Sequence, residues 1–333
     1  MNAFTLCLGA VAPLFLMIAV GYGAKRVRLI REESVPEMNA VAFRIFMPLL
    51  CFYNVYSAGL AEAIRPRLTV FAVAAVLVIF VLSWLFAAWT VPRRDRRGVV
   101  VQGLYRSNYL IIGLPFASGL MGGEEMAVVS VLGAIIIPLY NLLAVIVLQA
   151  HSGKRGSFVR LLLGILTNPL ILGSLTGIVF LLLKLRLPAP VESAVRDLSR
   201  VASPLLLVLL GAFFRFSSFR AHWKELFVTC VGRLIVIPGL ALAVSALLGF
   251  RGVEFVALLA MFGASTAANS FTMAQQMGGD AALAGNIVVW TGALCTLRCS
   301  AGACCSKRWG CFRSLAENLK RTLRQIIKRK REP

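Results

Sequence analysis

The chain has 333 residues and a net charge of +21, with 59% hydrophobic and only 15% charged residues. Its mean hydropathy is +0.82. A soluble domain carries about 25% charged residues, so the composition excludes an ordinary water-soluble fold. The basic excess lies in short loops and a terminal tail, the placement that orients a membrane protein; nucleic acid is not an expected partner.

Apolar runs of about 20 residues, the length that crosses a bilayer, recur along the chain. Ten spans are expected, over about 3–24, 36–57, 68–91, 99–120, 126–149, 159–183, 191–214, 225–248, 254–276 and 281–297. The first lacks the basic start and small-residue cleavage site of a signal peptide, so it is read as a helix. The loops after spans 1, 3, 5 and 7 are the more basic ones, with Lys25, Arg26, Arg93, Arg94 and Lys154 among their charges. The positive-inside rule then puts the N-terminus outside the cytoplasm of a multi-pass protein of the cell membrane.

Pro13 and Pro169, Gly21 and Gly177, Pro48-Leu49-Leu50 and Pro204-Leu205-Leu206, and Met121-Gly-Gly-Glu124 and Met277-Gly-Gly-Asp280 all stand 156 positions apart. One offset fitting four pairs indicates an internal repeat. Each copy holds five spans, an odd number, so the second must enter from the opposite face. The expected fold class is an all-α polytopic membrane protein, a ten-helix inverted repeat of five plus five. Its units are residues 1–150, 157–297 and a basic, cysteine-containing tail, 298–333.

Span 4 carries Ser107, Asn108, Gly113 and Pro115 within its apolar run. Proline removes a donor and clashes one turn back, and broken backbone at membrane depth is tolerated only against protein or a watery cavity. Span 9 has small and hydroxyl residues from Gly263 to Ala268, followed by Asn269, Ser270 and Gln275. Inverted-repeat transporters place their solute site between broken helices of this kind, and half-helix N-termini favour an anion. Asn108, Gly113, Pro115, Asn269, Ser270, Ser107 and Gln275 are the candidate substrate-binding residues. Interhelical hydrogen bonding is the structural alternative for the amides.

Arg44 and Arg233 lie inside apolar spans, where a charge either serves function or snorkels to an interface. Asp197 is read as a local ion pair with Arg196 and Arg200, and Glu62 as a loop residue. Thr167-Asn168-Pro169 is read as the opening of span 6, Met47-Pro48 and Ser203-Pro204 as kinks.

Enzyme motifs are absent: there is no P-loop, HExxH or GxSxG, and no catalysis, cofactor or metal is expected. Without a nucleotide motif, transport is downhill or coupled to H+ or Na+. From Arg298 onward eleven basic residues face two acids, and five of the eight cysteines fall from Cys295 on. Cys299, Cys304, Cys305 and Cys311 lack zinc-ligand spacing. The abrupt shift is read as an end without an evolved role, such as a changed reading frame leaves, ahead of an amphipathic surface helix. It leaves the tenth span short, and the tail is expected to stay cytoplasmic.

Together Ser107-Asn-Tyr-Leu-Ile-Ile-Gly-Leu-Pro115, Phe46-Met-Pro-Leu-Leu50, Asn168-Pro169 and Ser265 through Gly279 resemble the auxin efflux carrier family of bacterial permeases, related to plant PIN-type carriers. The resemblance covers about residues 5–297. It implies spans 4 and 9 broken at a crossover and the carriage of small organic anions such as malonate-, malate- or auxin-like carboxylates. It also implies that Asn108, Gly113, Pro115, Asn269 and Ser270 line the site. The family commonly has proline in the ninth-span break, where this chain has Ser265. The expected partners are a small organic anion, H+ or Na+, the lipid bilayer and a second copy in a homodimer. Alternatives are a sodium-coupled organic-anion symporter of the bile-acid type and a transport-inactive membrane remnant.

Overall fold

The computed structural model describes residues 3–58, 64–121, 126–151, 158–216 and 218–295. The Gly122-Gly123-Glu124 part of the repeat signature, the Glu62 loop, Lys154 and the tail from 298 lie outside the described residues. Among the described residues the protein is all-α: α1 Ala3–Arg26, α2 Glu32–Tyr56, α3 Pro66–Thr90, α4 Arg94–Tyr105, α5 Tyr109–Met121, α6 Met126–His151, α7 Phe158–Leu166, α8 Pro169–Leu182, α9 Ala189–Phe213, α10 Trp223–Leu247, α11 Gly252–Gly263, α12 Asn269–Gln276 and α13 Ala281–Cys295. Four of these, α2, α3, α6 and α10, are long and apolar enough to cross a membrane unbroken.

Spans 4 and 9 are broken as expected, into α4 with α5 and α11 with α12. Span 6 departs from expectation. It is two helices, α7 and α8, and Thr167-Asn168-Pro169 interrupts it rather than opening it. Asn168 Oδ1 accepts from Leu170 N at 3.0 Å. This is an N-cap with proline at the first helical position, which starts a new helix instead of continuing the old one.

Three helices contain one widened π turn: Ala42–Phe46 in α2, Tyr109–Gly113 in α5 and Gly232–Val236 in α10. Each is followed by a residue and then proline: Met47-Pro48, Leu114-Pro115 and Ile237-Pro238. Proline has no N–H, and its ring clashes with the carbonyl four residues back. Widening the preceding turn is a known way for a helix to relieve such a conflict. The bond shifts to five residues, as in Leu114 N to Tyr109 O.

The helices pack as two groups. In one, α1 lies on α9, and α2 lies on α8 and α9. In the other, α3, α4, α6, α10 and α11 pack together. Glycines set the closest approaches. A Cβ at Gly21 would lie 1.9 Å from Val208 O, and one at Gly177 would lie 2.8 Å from Phe52 O. The second group is tied at one end by charge. Arg96 bonds Glu225 at 2.8 Å and Asp280 at 3.2 Å, and His222 Nε2 lies 3.0 Å from Asp280. These contacts fix the starts of α4, α10 and α13 to one another. Asp197 stands 3.9 Å from Arg196 and 3.8 Å from Arg200, the local pairing expected of it.

Gly21→Val and Gly177→Val are predicted to destabilise the protein by about 1–3 kcal/mol each, as overpacked sites do. Thermal unfolding of the purified variants checks this; unchanged melting temperatures contradict the packing described.

Candidate functional site

The two breaks meet. Ser107 and Thr266 form an antiparallel bridge. Asn108 N donates to Ser265 O at 2.8 Å, and Ala267 N donates to Arg106 O at 3.4 Å. Thr266 adds a side-chain bond from Oγ1 to Gly103 O, 2.8 Å, and its N–H donates to Thr291 Oγ1 at 3.2 Å. The two unwound stretches therefore satisfy much of each other's backbone, which is what allows them to exist inside a membrane protein.

The carbonyl ends of α4 and α11 are satisfied by one side chain. Arg233, fully buried, donates from Nε and Nη2 to Ala264 O at 3.1 and 2.8 Å. Its Nη2 also reaches Met261 O at 3.4 Å. Its Nη1 reaches Leu104 O at 3.2 Å and Tyr105 O at 3.4 Å. A helix leaves its last carbonyls without intrahelical partners and its C-terminus partially negative. A planar guanidinium with five donors answers two such ends at once. Arg233 thus holds the open end of the break at 264–268. Arg44, by contrast, is exposed.

Beside the crossover is a small cavity of about 60 Å³ between the two helix groups. At about 10–15 Å³ per water it holds a few waters or one small solute. Met47, Leu50, Cys51 and Asn54 of α2 and Ser203 and Leu206 of α9 line one side. Arg106 to Ile111, Ile137, Tyr140 and Asn141, and Ala267 to Asn269 line the other.

Arg106 is 2% exposed. Its Nη1 donates to Gln102 Oε1 at 3.3 Å and to Met273 Sδ at 2.6 Å, and its Nη2 to Asn141 Oδ1. Among the described residues no carboxylate pairs with it. Ser107 Oγ, Asn108 Nδ2, Tyr140 OH and Asn269 Oδ1 are buried and have no hydrogen-bond partner among the described residues. Buried polar groups are nearly always satisfied, which makes these atoms candidates for contact with water or a solute.

The expected site residues divide. Ser107, Asn108 and Asn269 line the cavity. Ser270 follows directly, its Oγ buried and without a hydrogen-bond partner among the described residues. Gly113 lies against α11, where a Cβ would come 2.8 Å from Ala260 O; it lets α5 approach rather than facing the cavity. Pro115 is exposed on the outside of α5. Gln275 accepts from Asn39 Nδ2 at 2.5 Å, away from the cavity. Arg106, Asn141 and Tyr140 were not among the expected set, although a charge and an amide in apolar runs are the usual signal.

Comparison with known proteins shows the family. The model of the membrane transport protein family matches residues 6–300. The chain belongs to this family, that of the auxin efflux carriers. It is 24% identical over 263 residues to an uncharacterized transporter of Methanocaldococcus jannaschii, covering 75% of this chain and 82% of the relative. An uncharacterized transporter of Methanothermobacter thermautotrophicus is also 24% identical, over 251 residues, 74% of this chain and 80% of the relative. This auxin efflux carrier family member is a multi-pass membrane transporter, and the crossover is its candidate site.

Arg233→Met is predicted to lower the melting temperature and the folded yield, because it leaves two sets of buried carbonyls unpaired at about 1–3 kcal/mol per group. Arg233→Lys recovers little, since an ammonium lacks the flat fork. A variant as stable as the parent contradicts the capping role.

Proposed function

We propose that the protein is a secondary carrier of small organic anions, carboxylates in particular, bound at the crossover between Arg106, Ser107, Asn108, Tyr140 and Asn269. The observation that carries this reading is the buried Arg106 guanidinium beside a cavity, with no carboxylate of the described residues as counter-charge. An uncompensated buried charge is costly, and such residues in membrane segments are tied to function. A solute carboxylate supplies the missing charge and accepts from the unpartnered donors around it. The first turn of α5, Tyr109 to Ile111, also lines the cavity, and the positive end of its dipole adds to the attraction.

Two further observations support transport by two inverted five-helix halves. The contact Gly21–Val208 becomes Gly177–Phe52 when each member moves by the 156-residue offset. Contacts that exchange in this way are those of two halves related by a two-fold axis. The state of the cavity is asymmetric. The second half-helix of span 9, α12, packs on α2 and α9 and is buried from Ser270 to Ala274. Its counterpart α5 packs on α11, α6 and α1, and exposes Ser118 to Leu120. The face at the end of α12 is therefore closed, sealed by Asn39–Gln275 and by Gln276 Nε2 donating to Pro36 O at 3.3 Å. With the N-terminus outside, this closed face is the cytoplasmic one. Movement of one helix group against the other exposes the site to each side in turn.

Arg106→Gln and Asn108→Ala are predicted to abolish carboxylate flux in proteoliposomes. Arg106→Gln should keep or raise the melting temperature, because it removes an unbalanced buried charge. Normal flux in Arg106→Gln overturns the reading. Asn39→Ala with Gln275→Ala is predicted to open the closed face. Loss of a hydrogen bond worth about 1 kcal/mol shifts the balance roughly fivefold. Labelling of Cys51 by an impermeant thiol reagent from that face should rise accordingly; unchanged labelling contradicts the seal.

A further inference from the structure

Among the described residues, Arg106 is oriented by neutral groups alone. Gln102 on α4 and Asn141 on α6 each turn an amide oxygen to the guanidinium, and Met273 on α12 contributes its sulfur. Asn141 is 1% exposed, and its Nδ2 donates to Cys51 Sγ at 3.1 Å. That contact fixes which end of the amide faces Arg106. Each amide has nearly the shape of a carboxylate, and a carboxylate at either position would pair with Arg106 in place of a solute. We infer that Asn141 and Gln102 set the charge of the cargo. They position Arg106 while leaving its full positive charge to the cavity, so that the site takes one negative charge per solute. This rests on the anion-carrier reading and narrows its substrate class.

The remaining walls carry the argument further. Besides Arg106, the cavity offers neutral donors and the apolar side chains of Met47, Leu50, Ile111, Ile137 and Leu206. A second carboxylate would meet no second cation there, and burying a charge without a partner is strongly unfavourable. The solute class is a small monocarboxylate with an apolar body, ahead of a dicarboxylate.

The test uses the full-length protein in lipid nanodiscs, with thermal unfolding followed as butyrate, malonate or butyramide is added. Butyrate should stabilise the parent at concentrations at least tenfold below those malonate requires, and butyramide should have no effect. Asn141→Asp and Gln102→Glu should each weaken the butyrate response by about 100-fold or more, the scale of a lost buried charge pair. Asn141→Ser, which stays neutral, should weaken it only a few-fold. The two acidic changes lie on different helices, so Gln102→Glu decides if Asn141→Asp does not fold. Acidic variants that respond to butyrate like the parent overturn the charge-setting role while the carrier reading stands. A preference for malonate overturns the single-charge assignment. A parent that responds to butyramide as to butyrate, or to neither carboxylate, overturns the anion reading itself.

Discussion

The crossover depends on how a membrane protein disposes of four helix ends inside its helix bundle. Breaking two helices frees carbonyls at the ends of α4 and α11, and the bilayer core offers them no water. Arg233 answers both ends from a third helix, α10, where the π turn Gly232–Val236 carries it. The Ser107–Thr266 bridge takes up part of what remains. Once those ends are fixed, the starts of α5 and α12 are fixed beside each other. The cavity follows from that placement.

Two buried arginines, Arg106 and Arg233, do opposite things within this small volume. Arg233 is surrounded by backbone carbonyls, so its charge is absorbed in holding the fold. Arg106 touches side-chain amides and a sulfur and keeps its charge. The physical distinction is the partner, not the burial. Both guanidiniums are held by neutral acceptors; the carbonyls on Arg233 stand at helix C-termini, where the dipole adds partial negative charge, and the side-chain amides and thioether on Arg106 have no such addition.

Much of the fold is legible in the sequence, because a bilayer imposes a length on every crossing element. The expected spans 1, 3 and 5, over 3–24, 68–91 and 126–149, match α1, α3 and α6 within a few residues. The breaks in spans 4 and 9 are also legible, from glycine, proline and clustered small residues. The break in span 6 is not, since Asn168-Pro169 suits either the start of a span or a cap within one. Of the candidate site residues, composition points to Asn108 and Asn269, which line the cavity, but where Gly113, Pro115 and Gln275 lie depends on which way each faces. Helix rotation is set by packing, and no single run of sequence states it. Arg106 immediately precedes the motif, and its role is hidden for the same reason: its orientation comes from Asn141 and Gln102, and Asn141 lies far along the sequence.

The direct measurement is an experimental structure of the full-length protein in a lipid bilayer with a bromine-labelled small monocarboxylate, the bromine locating the solute. The account predicts the solute between the two helix groups, its carboxylate within hydrogen-bond distance of the Arg106 guanidinium. A solute found elsewhere, or spans 4 and 9 running unbroken through the membrane, contradicts it.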